Sequence, residues 1–117
     1  MAYDEVLAER VRELLVAEED VAEQRMFGGL AFLVRGNMAV AASSRGGLMV
    51  RVDPSEGDSL VATTAAEPME MRGRPMRGWL HLGGASVQTD QQLAEWVTRG
   101  SRCARSLPAK APRRPRR

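Results

Sequence analysis

The stretch Arg25–Asp53, RMFGGLAFLVRGNMAVAASSRGGLMVRVD, decides how this chain is read. It holds three apolar runs of β character, Arg25–Val34, Met38–Ala42 and Leu48–Val52, separated by RGN and SSRGG. Gly36-Asn37 reads as a two-residue hairpin turn, with glycine supplying a positive φ. Ser43–Gly47 offers a slightly longer connection. Links this short force antiparallel neighbours, because a parallel crossover needs about a dozen residues or more. The stretch therefore predicts a three-stranded meander. Its anomaly is Gly28-Gly29, inside the first run. A Walker-type phosphate loop needs G-x-x-x-x-G-K-[ST], and the chain has no Lys-Ser or Lys-Thr step. A dinucleotide fingerprint needs its glycines between a strand and a helix, whereas here more strand follows. The pair is read instead as a bulge, or as a close approach by a helix backbone where a Cβ would clash.

Working outward, YDEVLAERVRELLVAEED places Tyr3, Leu7, Val11, Leu14 and Leu15 at helical spacing and predicts an amphipathic helix over about residues 3–17. After the meander, Asp53 can cap a helix, Pro54 suits its first position and Glu56 suits a capping box. That helix covers about residues 54–64 and is weakened by Gly57 and Thr63-Thr64. EPMEMRGRPMRGWLHLGG predicts a second hairpin turning near Gly73, with Pro68 and Pro75 at strand starts or edges. Thr89 and Gln92 form a capping-box pair. Leu93, Trp96, Val97, Gly100 and Ala104 then recur on one helical face to about residue 106, and Pro108 stops the helix. The order helix, three antiparallel strands, helix, two strands, helix predicts a two-layer α+β domain over residues 1–108.

With 117 residues the chain is the size of one domain. Aromatics make up only 4% of it, so the core must be built from Leu, Val, Ala and seven Met. No run approaches the ~20 apolar residues of a membrane span, and the acidic opening is unlike a basic leader. Cys103 is the sole cysteine, which excludes an internal disulfide; these features together predict a cytoplasmic protein without membrane attachment. The net charge of +2 is uneven. Lys110, Arg113, Arg114, Arg116 and Arg117 crowd the last eight residues, and the remainder carries 12 basic against 15 acidic residues, a charge of −3. Residues 109–117 are read as a disordered basic tail.

The chemistry-bearing residues do not assemble into a catalytic set. His81 is the only histidine, with no second ligand to make a metal site. Between Leu80 and Leu82 it is expected on the solvent face. Cys103 lies late in a helix beside Arg102 and Arg105, and is read as a packed or half-buried thiol. Glu18, Glu19, Asp20 and Glu23 lack calcium-loop spacing and are read as a solvated acidic connection. Neither an enzyme nor a cofactor is expected.

Arg25, Met26, Phe27, Gly28 and Gly29, with Gly36, Met38, Leu48, Arg51 and Asp53 beyond them, resemble the signature of the TfoX N-terminal domain. That domain occurs in TfoX/Sxy competence regulators and in many short standalone bacterial proteins. The resemblance covers about residues 3–108 and extends to the closing LAEWVTRGSRCARSLP. It implies a two-layer, secretion-chaperone-like fold in which those residues are structural. It also implies a regulatory rather than catalytic role, since the family's full-length members are linked to transcription of DNA-uptake genes alongside another regulator.

Together these readings point to a non-enzymatic interaction module that uses an exposed sheet face or edge, for a protein partner or for self-association. Met-lined surfaces adapt to partners. An alternative is an accessory nucleic-acid binder, in which Lys110, Arg113, Arg114, Arg116 and Arg117 neutralise phosphates without reading bases. A further alternative is a small-anion site using Arg72, Arg74 and Arg77, or His81 and Cys103.

Overall fold

The structure is a computed structural model that describes residues 3–26, 28–71 and 73–108. Its class is α+β. In chain order come α1 (Glu5–Leu14), β1 (Val21–Met26), β2 (Gly29–Val34), β3 (Asn37–Ala42), β4 (Leu48–Arg51), α2 (Pro54–Thr63), β5 (Glu67–Met71), β6 (Arg74–Leu82) and α3 (Asp90–Ser106). The strands form one antiparallel sheet in the order β1-β2-β3-β4-β6-β5. A short 3-10 turn at Gly84–Val87, not anticipated in the sequence, leads into α3.

The sheet has six strands rather than five because the first apolar run is not one strand. Met26 pairs with Gly29, which leaves two residues between β1 and β2, and Gly28 has φ +77°. The glycine pair is thus a hairpin turn and its exit, not a bulge within a strand. Nor does a helix crowd it: a Cβ on Gly29 would drive into the Ala42 carbonyl of β3. Glu23, read as part of an acidic connection, lies in β1. The next turn is shifted by one residue from its expected place. Arg35 (φ 54°) and Gly36 (φ 84°) form it, as a type I′ turn requires positive φ at both positions. Asn37 instead opens β3, buried, with its side-chain amide donating to the Pro108 carbonyl at 2.9 Å.

The helix starts follow their capping residues. Asp4 accepts from the Leu7 N–H, and Thr89 with Gln92 makes the reciprocal capping box at α3. Asp53 accepts from the Ser55 N–H at 2.9 Å, while the anticipated return bond from Glu56 is not observed. Pro68 sits on the edge strand β5, but β6, which holds Pro75 near its start, lies inside the sheet.

One face of the sheet carries the core. Cross-strand partners Phe32, Val40, Val50 and Leu80 form one buried row, and Leu30, Ala42, Leu48 and Leu82 form the next. Leu7, Val11, Leu93, Trp96 and Val97 cover them from α1 and α3. Each Val, Leu or Phe among them contributes roughly 1.5–3 kcal/mol by leaving water. Gly100 allows α3 to lie directly on β3, since a Cβ there would sit 2.5 Å from the Ala39 carbonyl oxygen. Arg10 ties the layers together by donating to the carbonyls of Val87 and Gln88, both at 3.1 Å.

Candidate functional site

The face turned away from the helices is organised differently. Its central row runs across all six strands through Gln24, Ala31, Ala41, Met49, His81 and Glu67. Ala31 and Ala41 are buried, yet they belong to neither apolar core cluster. They form the floor of a groove of about 640 Å³, to which every strand from β1 to β6 contributes lining residues. Met26, Met38, Met49 and Met69 wall it, and Ser44, Arg45, Glu67 and Glu70 stand around it. Small alanines set the depth and flexible thioethers the sides. This is the composition of a surface that reshapes around an apolar guest.

His81 reaches the groove from β6. Its Nε2 lies 2.9 Å from the Gly46 carbonyl, so that nitrogen carries the proton. Its Nδ1 faces Glu67 at 3.8 Å. The imidazole pins the β3–β4 loop against the sheet and fixes one rim of the groove. Arg51, two residues beyond Met49, donates through Nε to the Met38 carbonyl at 2.7 Å and stacks 4.6 Å from the Trp79 ring centre. Burial lowers its pKa.

The structure disperses the other sequence-derived candidates. Cys103 is half-buried in α3, and burial is the main cause that raises its thiol pKa. The nearby cation opposing that rise is Arg51, not the chain neighbours. Arg105 is committed to Glu18 at 2.5 Å. Arg74 and Arg77 are exposed on β6, and Arg72 lies outside the described residues. Phe27 and all five basic residues of the tail, Lys110, Arg113, Arg114, Arg116 and Arg117, also lie outside them. Arg25 and Met26 end β1, and Gly36 completes the second hairpin turn. Among the described residues, no three His, Cys, Asp or Glu side chains are grouped to hold a metal ion, and no helix is long and apolar enough to cross a membrane.

The groove itself was missed in the sequence. Its only signal was the alternation of Ala and Met with larger residues in AFLV, MAVAA and LMV.

Residues 13–104, from within α1 to near the end of α3, match the model of the TfoX N-terminal domain. The chain belongs to the TfoX N-terminal domain family. No curated protein shows significant similarity to it. Within this TfoX-type domain, Arg25, Met26, Gly28 and Gly29 build the first hairpin, and Met26 and Gly29 also line the groove.

Proposed function

We propose that this TfoX-type domain is a non-enzymatic, cytoplasmic interaction module, of the competence-related regulator type, that acts by protein contact through the open face of its sheet. The groove walled by Met26, Met38, Met49 and Met69 is the observation that supports this reading. Its guest is an apolar segment of a partner protein. Methionine walls accommodate varied side chains without a rigid template, and the polar rim sets the orientation of the guest.

The test is affinity capture from the native cell, followed by a binding measurement with the purified captured protein. Wild-type protein and Arg74→Ala should bind it equally, while Met49→Lys, which places a cation beside the floor, should lose it. Equal binding by Met49→Lys would refute the groove as the contact.

A second reading rests on the five cations at Lys110, Arg113, Arg114, Arg116 and Arg117. Such a segment gives sequence-blind, salt-dependent affinity for nucleic acid. Deleting residues 109–117 should abolish that affinity and leave the groove contact intact.

A further inference from the structure

The two edges of the sheet are unequal. At β5 the edge carries Pro68, which has no N–H, and the register with β6 slips between Pro68 and Glu70. Both features are devices that stop a sheet from adding strands. At β1 the edge has neither. Val21–Met26 pairs with β2 in unbroken register, and Ala22, Glu23, Gln24 and Arg25 are exposed.

The backbone phase of this edge is fixed. The Arg35 N–H donates to the Asp20 carbonyl at 2.9 Å, one register step beyond Val21↔Val34. Alternation then turns the peptide groups of Ala22, Gln24 and Met26 toward β2. Those of Val21, Glu23 and Arg25 point outward, ready to pair.

We propose that β1 pairs antiparallel with β1 of a second copy of this chain, about a two-fold axis through Gln24. An axis normal to the sheet keeps the helix-bearing faces on one side. Registers centred on Glu23 or Arg25 set like charges face to face. The register centred on Gln24 sets Glu23 opposite Arg25 of the second copy, and does so twice. It also places the outward peptide groups of residues 23 and 25 against each other as hydrogen-bonded pairs.

The surroundings favour that cation. Glu9 and Glu23 both pair with the single guanidinium of Arg12. The arginine of the second copy supplies the missing positive charge at this acidic cluster. A contact of one strand per partner is small, so the dimer is reversible. This contact uses the outward backbone edge of β1, whereas the groove uses the open face of the sheet, so either stands without the other.

The test uses the full chain with Cys103→Ser as background. Gln24 faces itself across the axis as a non-hydrogen-bonded pair, with Cα atoms about 4.5 Å apart, within the span of a disulfide. Gln24→Cys should therefore form a covalent dimer under mild oxidation, faster than Glu23→Cys or Arg25→Cys. In parallel, sedimentation from micromolar to near-millimolar protein should show a monomer–dimer equilibrium. Arg25→Glu should weaken it about ten-fold, with an unchanged melting temperature of the dilute monomer showing that the fold is kept. A monomer across the whole range would overturn the proposal. Crosslinking favoured at residue 23 or 25, or an Arg25→Glu protein that dimerises as tightly as wild type, would overturn it equally.

Discussion

The two faces of this sheet are made by the same strands, yet they follow different packing rules. Phe32 and Ala31 are neighbours on β2, and Val50 and Met49 are neighbours on β4. On the helix side Phe32, Val40, Val50 and Leu80 meet α1 and α3 and are buried by another layer. On the far side Ala31 and Ala41 are buried outside both apolar clusters, and methionines from β1, β3, β4 and β5 line the groove they share. A sheet can thus hide apolar surface either under helices or within its own hollow. Only the second leaves room for a guest.

The sharpest way to break this distinction is a pair of truncations. Phe32→Ala should cost about 3–5 kcal/mol in denaturant unfolding, the transfer loss plus an unfilled cavity. Met49→Ala, at the groove, should cost about 1 kcal/mol or less, because the space it vacates is already open. Comparable losses would mean that both faces are core.

A second pair asks how closely the helix layer sits. Gly100→Ala should destabilise by about 2–3 kcal/mol, as the new methyl must push α3 off the Ala39 carbonyl and the Val40 side chain. Gly57→Ala in α2, where a Cβ finds no heavy atom within 4 Å among the described residues, should instead stabilise by roughly 0.5–1 kcal/mol. Melting curves of the two variants should move in opposite directions.

Thr89→Ala removes half of the capping box at α3 and should cost about 1 kcal/mol. The helix-covered face should loosen first, seen as faster amide exchange in α3 than in β4.

The smallest effect is electrostatic. The hydrogen bond from Arg12 holds the Glu23 carboxyl below its ordinary value of 4.5. A group depressed in the folded state contributes in full above that ordinary value and loses its contribution as the pH falls through the folded one. Glu23→Gln should therefore flatten acid unfolding slightly, by roughly a few tenths of a kcal/mol given the exposure of the pair. An unaltered acid profile would show that Arg12 does not hold this carboxylate.

The sequence revealed the elements whose signals are local. Thr89 with Gln92, Asp53 before Pro54, and the turn near Gly73 each announce themselves within four residues, and each is found where it was expected. What depends on distant contacts was hidden. The break between β1 and β2 falls inside the apolar sequence MFGGLAF, so apolar character runs through it and conceals it. β1 is an edge strand with four exposed residues, and its polar composition imitates a linker. Asn37 looks like a turn residue until its amide meets Pro108, 71 residues away. The methionines pointed to an open sheet face but not to a hollow in it: Ala31, Ala41 and Met49 are ordinary strand residues until the packing of α3 decides which side stays open.

That clasp between Asn37 and Pro108 anchors the root of the cationic segment to the tip of the second hairpin. The end of α3 and the turn between β2 and β3 are consequently fixed to one another, so that a displacement of either must carry the other.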